Sequence, residues 1–412
     1  MTVTEHAERS RSARRSGYRW VVLVIATFAQ ACACFFVQGL GSITVYLQRE
    51  MHLSTTQIGL LVTAAQLVPL AGLLVAGELL DRYPERWVVG AGSVIVGAGL
   101  LGGSAAPGYG WLLVGLLVVG AGYSTAQPGG SKSVASWFAT SQRGFAMGIR
   151  QAGLPLGGAL AAALLPWLAR SYGWRAPLVA SGALALVGGA VFMGFYRSPD
   201  LPSADASRSA SLRVQLAARF EVARAPAMIT IILSGVSMTS LQYGLSLLTE
   251  LYLHTKASMP VGQAASFLLL MLGCGVVGRI VLAAWSDRST GRLVPVLTCM
   301  SCAATGLLVW AVAPLHSALF VGGLVAWLGF FGFGWYGPWV AYVADCSPPG
   351  KSGFALGLAM AVNQIAVILV PPGLGLLKDS TGSFVPDFSI LALFAMSALG
   401  AVLWRTAIRP ST

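Results

Sequence analysis

Gly77-Glu78-Leu79-Leu80-Asp81-Arg82-Tyr83-Pro84-Glu85-Arg86 follows one long apolar run, and Ala283-Ala284-Trp285-Ser286-Asp287-Arg288-Ser289-Thr290-Gly291-Arg292 follows another. The two Asp-Arg pairs stand 206 residues apart. Working outward, Gly144-Phe145-Ala146-Met147-Gly148 returns as Gly353-Phe354-Ala355-Leu356-Gly357 with an offset of 209, and Gly122 and Pro128 return as Gly332 and Pro338 with an offset of 210. One near-constant offset over four landmarks marks a chain built from two like halves. Internal repeats of this kind are typical of membrane machines that work around a central site.

Composition agrees. Hydrophobic residues make up 56% of the chain and charged residues 10%, and the mean hydropathy is +0.74. Soluble domains carry about 25% charge, so most of this chain faces lipid or other apolar helices. A crossing needs about 20 apolar residues. Twelve such stretches can be placed, at roughly 20–47, 56–80, 87–106, 110–138, 144–169, 174–196, 227–253, 263–286, 293–313, 316–344, 353–377 and 386–406. The expected fold is an all-α integral membrane protein of twelve transmembrane helices in two pseudo-symmetric six-helix halves. Its parts are a tail at 1–19, a first half at 20–197, a linker at 198–226, a second half at 227–406 and a tail at 407–412. Leu212, Leu216 and Phe220 give the stretch 211–225 helical spacing, as for a helix lying on the membrane surface.

Lys and Arg in short loops set orientation. With both termini in the cytoplasm, 18 of the 26 basic residues fall on the cytoplasmic side, five on the other and three inside spans. The net charge of +12 is then mostly topological, and nucleic acid is not needed to explain it. The Arg-rich start runs straight into a full-length span, so no cleaved signal peptide is expected. Arg in excess of Lys and short loops fit a bacterial inner membrane. Cys299-x-x-Cys302 lies in an apolar run with no histidine nearby and is read as packing. His6, His52, His254 and His316 lie in a tail or loops, and no paired-carboxylate or metalloprotease pattern appears. Neither an enzyme, a cofactor nor a metal site is expected.

The two loops quoted first carry a family likeness. They resemble the G-x-x-x-D-R-x-G-R loop of the major facilitator superfamily. Together with the twelve spans, the mid-chain linker and the duplication, the resemblance covers essentially the whole chain. The first copy departs from the pattern, with Pro84 and Glu85 where a Gly and a basic residue are usual. The second has Ala283 for the leading Gly but keeps Asp287, Arg288, Gly291 and Arg292. A carboxylate at a helix C-terminus is disfavoured by the dipole. Asp81 and Asp287 therefore each want a cation, and Arg82, Arg86, Arg288 and Arg292 are at hand to form a latch with them. The stretch 144–158 is similar to one that recurs in bacterial permeases of this superfamily. An arginine in span eight ahead of Ser286-Asp287-Arg288 is similar to the arrangement in oxalate/formate and monocarboxylate-type carriers.

Three basic residues fall inside spans: Lys132 in the fourth, Arg150 in the fifth and Arg279 in the eighth. At about 1.5 Å per residue, each lies roughly 9–12 Å in from the cytoplasmic helix end. Ionisable groups in hydrocarbon are costly and usually face a cavity or a partner. No Asp or Glu falls at that depth by the same count, so a mobile anion would neutralise the cations. Arg150, Gly153 and Gly157 share one helical face, and Arg279 has Gly275 and Ala283 a turn away on either side. Such small residues allow close helix approach or leave room for a ligand. The resemblance implies that spans five and eight meet between the halves, which would bring the two arginines face to face. Arginine's planar fork suits a carboxylate. The plainer reading of each cation is snorkelling or carbonyl capping, and it weighs most for Lys132.

The expected substrate site is thus Arg279, Arg150 and Lys132, completed by Gln151, Gln242, Tyr336, Asn363 and Gln364. The aromatic group from Phe330 to Trp339 either lines a cavity or packs against lipid. The expected function is secondary active or facilitative transport of a small organic anion, with lipid as surroundings and the chain acting as a monomer. A drug or cation antiporter on the same fold would want a carboxylate at the midplane, and a non-transporting sensor would want an added domain. If protons are the coupling ion, Glu250 toward the outside and Glu78 toward the inside are the titratable candidates.

Overall fold

The computed structural model describes residues 3–53, 55–198, 221–256, 259–289, 291–312, 317–348 and 350–408. Most of the expected linker and of the surface helix over 211–225 lies outside the described residues. Among those described the ordered elements are helices: α1 (Val3–Met51), α2 (Thr55–Leu67), α3 (Pro69–Arg82), α4 (Glu85–Ser104), α5 (Tyr109–Tyr123), α6 (Ala126–Trp137), α7 (Thr140–Tyr172) and α8 (Arg175–Phe195). The second half continues with α9 (Pro226–Lys256), α10 (Val261–Arg288), α11 (Leu293–Val312), α12 (Ala318–Gly334), α13 (Tyr336–Asp345), α14 (Ser352–Thr381) and α15 (Val385–Ile408). They supply 12 rods long and apolar enough to cross a membrane. The chain is an all-α integral membrane protein. It divides into two compact units, Met1–Arg208 and Ser209–Thr412. Because α1 starts at Val3, residues expected as a tail continue the first span as helix.

Three spans are each made of two helices. The second breaks at Val68, ahead of Pro69, the fourth at Ser124-Thr125, ahead of Pro128, and the tenth at Trp335, ahead of Pro338. Proline lacks the N–H that the carbonyl four residues earlier would accept from. In hydrocarbon such a carbonyl must find another donor inside the protein. At the fourth-span break two hydroxyls add bonds to carbonyls that also accept from the Ser124 and Thr125 amides. Ser124 Oγ donates to Gly120 O at 2.8 Å and Thr125 Oγ1 to Gly122 O at 3.0 Å. The breaks in spans four and ten fall at repeat-related positions, since Gly122 and Pro128 correspond to Gly332 and Pro338.

Within each unit the helices approach backbone to backbone. A Cβ on Gly278 of α10 would stand 2.2 Å from Phe330 O of α12, and one on Gly329 of α12 would stand 2.2 Å from Met271 O of α10. In the first unit, a Cβ on Gly153 or Gly157 of α7 would come within 2.9 Å of the carbonyls of Thr27 and Ala31 in α1. The glycine stripe beside Arg150 therefore serves close packing, not an open channel wall. Overpacking typically costs about 1–3 kcal/mol. Gly329→Ala is expected to lose stability of that order in detergent melting. Gly323→Ala, with nothing within 4 Å of the added methyl, should melt like the unaltered protein.

Candidate functional site

In the first unit the apolar stretches of α1, α6 and α7 bury Arg150 completely, at 0% exposure. A guanidinium held there needs acceptors on several sides, and the break in span four supplies some. Nη2 donates to Ala126 O and to Gln127 O, each at 2.8 Å, and also to Gln30 Oε1 of α1. Nη1 donates to Ser131 Oγ at 2.8 Å. A Cβ on Gly130 would lie 2.5 Å from Arg150 Nε, so that glycine makes the slot in which the side chain lies. Arg150 ties the first, fourth and fifth spans together through neutral oxygens. Gln151 beside it is also fully buried. Gln30, 1% exposed, was not anticipated. Its signal was a second glutamine in span one, deeper among apolar residues than Gln38, which is exposed.

The second unit repeats the device on different spans. Arg279 of α10 is 2% exposed, and its Nε donates to Phe333 O at 3.1 Å. Phe333 lies in the last turn of α12, where carbonyls lack helical donors. The guanidinium carbon lies 5.7 Å from the centroid of the Tyr336 ring. Tyr336 in turn packs on Trp335 at 5.1 Å and on Trp339 at 5.5 Å between centroids. Trp335 Nε1 donates to Gln242 Oε1 at 3.1 Å, and Trp339 Nε1 to Ile231 O at 3.0 Å. Gly235 leaves the space that Trp339 and Asn363 Oδ1 share, since a Cβ there would meet both at 2.6 Å. One aromatic cluster thus connects four expected site residues: Arg279, Tyr336, Gln242 and Asn363. Asn363 is 4% exposed, and neither atom of its amide has a hydrogen-bond partner among the described residues. Gln364 is buried next to it in α14.

Lys132 corrects an expectation. Counted by its Cα it shares the depth of the arginines, with no carboxylate alongside. Its Nζ instead lies 3.5 Å from Asp81 Oδ1 and 3.6 Å from Glu85 Oε1, and donates to Leu80 O. The flexible stem carries the charge out to the helix end, as lysine stems do. Lys132 belongs with the loop after α3 and not with the buried arginines. That loop departs from the expected latch in another way. Arg82 pairs with its own helix neighbour Glu78 at 2.6 Å, while Arg86 Nη2 donates to Met193 O in the last turn of α8 at 3.1 Å. Tyr196 donates to Glu85 Oε2 at 3.5 Å. Burial first, and the Glu85 charge second, push that phenol above its ordinary range. After α10 the cation comes from the loop. Arg292 pairs with Asp287, and its Nε donates to Asp345 Oδ2 of α13 at 2.7 Å. Arg288 is exposed. Asp345 was missed because it ends an apolar run and reads as ordinary loop charge. Glu250 is half-buried near the end of α9.

Two outcomes are expected from these contacts. Removing one partner of a buried ion pair costs up to about 3–5 kcal/mol, and less for a half-screened one. Lys132→Met should therefore lower the melting temperature, and adding Glu85→Gln should restore part of the loss in a double-mutant cycle. Arg150→Met, which strands buried acceptors at about 1–3 kcal/mol each, should destabilise more. Arg150→Lys should recover only a fraction, because one ammonium cannot span acceptors on two helices.

Residues 26–371 match the family model described as Major Facilitator Superfamily. An uncharacterized MFS-type transporter of Mycobacterium tuberculosis is 24% identical over 405 residues, covering 95% of this chain and 86% of the relative. The probable galactarate/D-glucarate transporter GudP of Bacillus subtilis is 24% identical over 403 residues, covering 86% and 84%. The crystal structure of the Escherichia coli fucose:proton symporter FucP (N162A) superimposes with a TM-score of 0.72 at 18% identity, covering 92% of this chain and 98% of that one. With a matched region that spans all but the ends of the chain, twelve crossings and a shared fold, the protein belongs to the major facilitator superfamily of membrane transporters.

Proposed function

We propose that this transporter carries small organic acids and that Arg279 holds the substrate carboxylate. The observation that carries the reading is the setting of Arg279. It is a 2% exposed guanidinium, fixed through Nε and set against a cluster that also presents Gln242, Tyr336 and the buried amide of Asn363. A guanidinium matches a carboxylate with two parallel hydrogen bonds, and phenol and amide groups suit hydroxyls on the same molecule. The cargo named for the Bacillus subtilis relative fits that chemistry, because galactarate and D-glucarate are hydroxylated dicarboxylates. Arg150 is read as the structural tie of its own unit, with Gln151 and Gln364 as supporting polar groups. The basic residues of the short loops support an orientation with both termini in the cytoplasm, so that the ion-paired loops after α3 and α10 act on the cytoplasmic side.

Purified protein in liposomes is to be tested with galactarate, galacturonate and sulfoacetate, which offer two carboxylates, one carboxylate, and a carboxylate with a sulfonate. Uptake of at least one is expected. A hydrogen bond to a charged group is worth about 1.5–3 kcal/mol, so Arg279→Ala should cut uptake efficiency by about ten- to a hundredfold. Arg279→Lys should keep part of it. If none of the three acids enters, or if Arg279→Ala transports like the wild type, the organic-acid reading gives way to a neutral or cationic cargo.

A further inference from the structure

The repeat that relates the two units extends to a pair of helix starts. Gly173 and Pro177 of the first unit correspond to Gly382 and Pro386 of the second, at an offset of 209. The two glycines share a positive φ, 81° and 65°. The residue after each proline lies in the first turn of the last helix of its unit and points inward. In the first unit it is Leu178, 0% exposed. In the second it is Asp387, also 0% exposed, and neither carboxyl oxygen has a hydrogen-bond partner among the described residues. A carboxyl thus occupies the slot that the sister unit fills with leucine. Burial of an ionised carboxylate without hydrogen bonds is strongly unfavourable, whereas the protonated acid is far cheaper to bury. Ionisable groups kept at such cost in membrane proteins mark functional sites.

The surroundings are apolar with one charge at the edge. Phe384, just before α15, and Phe388 on it flank Asp387, and the Tyr252 ring of α9 packs on both, at 5.3 and 5.0 Å between centroids. Tyr252 Oη is committed to Trp310 O at 3.0 Å. From α11, which has no charged residue, Trp310 joins the cluster with an indole N–H that is buried and has no acceptor among the described residues. From α14, Lys378 is the charged neighbour of the cluster, its Nζ 4.5 Å from the Phe384 ring centroid. His316, in the loop after α11, lies outside the described residues. Burial works for the neutral acid, and Lys378 together with the N-terminus of α15, in whose first turn Asp387 lies, works for the carboxylate.

We propose that Asp387 is a proton-binding site of the second unit. One O–H bond forms on a carboxyl oxygen when the site is loaded and breaks when it empties, with no other chemistry. The site is distinct from Glu250 and Glu78, and Glu78 is already paired with Arg82. Only the further step, from proton binding to proton-driven uptake, rests on the organic-acid reading above.

The test compares wild type, Asp387→Asn and Asp387→Leu in liposomes, the last being the sister unit's own residue. Without any substrate, pH-difference infrared spectra of the wild type should show a carboxylic-acid carbonyl band that shifts in D2O. Both variants should lack it while melting no earlier than the wild type. With galactarate, an inward-directed pH gradient should drive accumulation in the wild type. In the variants accumulation should fall to the level seen without a gradient, while galactarate exchange persists. A band unchanged in both variants, or accumulation by the variants equal to that of the wild type, overturns the proposal. If galactarate is not carried at all, the organic-acid reading fails, and the infrared comparison still decides for or against Asp387.

Discussion

Hydrocarbon offers no hydrogen bonds, and every break in a membrane-spanning helix must be repaired from within the protein. This chain breaks three spans at prolines, and two of the breaks anchor its buried arginines. Arg150 donates to Ala126 O and Gln127 O beside the break in span four, and Arg279 to Phe333 O beside the break in span ten. A guanidinium buried in apolar surroundings wants acceptors, and Phe333 O, in the last turn of α12, lacks a helical donor, while Ala126 O and Gln127 O open α6 and take the arginine as a second donor. The two units reach the same solution with arginines from helices that the repeat does not equate, which points to the break as the common feature.

The ion-paired loops show the same logic with roles exchanged. At the α3–α4 turn the carboxylates are Asp81, at the end of α3, and Glu85, at the start of α4, and the cation arrives from α6 as Lys132. After α10 the loop supplies the cation, Arg292, and the second carboxylate arrives from α13 as Asp345. Glu85, which departs from the family loop pattern, is thus matched by a lysine from another span. The departure is compensated and is not a lost contact.

The spans were legible because lipid demands an unbroken apolar run of fixed length, a demand that composition alone reveals. The arginines were legible for the converse reason, as charges placed where charge is expensive. Lys132 was misplaced because depth was counted along the backbone, while a lysine nitrogen sits several ångströms from its own Cα. Gln30 was passed over because an amide in a long apolar span looks like an ordinary interhelical hydrogen bond, and only the fold shows it closing on Arg150. Asp387 escaped notice for a different reason. It sits two residues inside a helix start, so it reads as a loop acid until burial and the comparison with Leu178 show that it faces inward.

The aromatic cluster around Arg279 has an optical consequence. Trp335 and Trp339, both wholly buried, pack against Tyr336, the ring beside the guanidinium. Indole emission responds to nearby charge and polarity, and these two indoles sit one ring away from a cation. Whatever reorients Tyr336 or neutralises Arg279 changes the electric field at both. The second unit therefore contains its own fluorescent reporter of the state of its buried charge, with no label added.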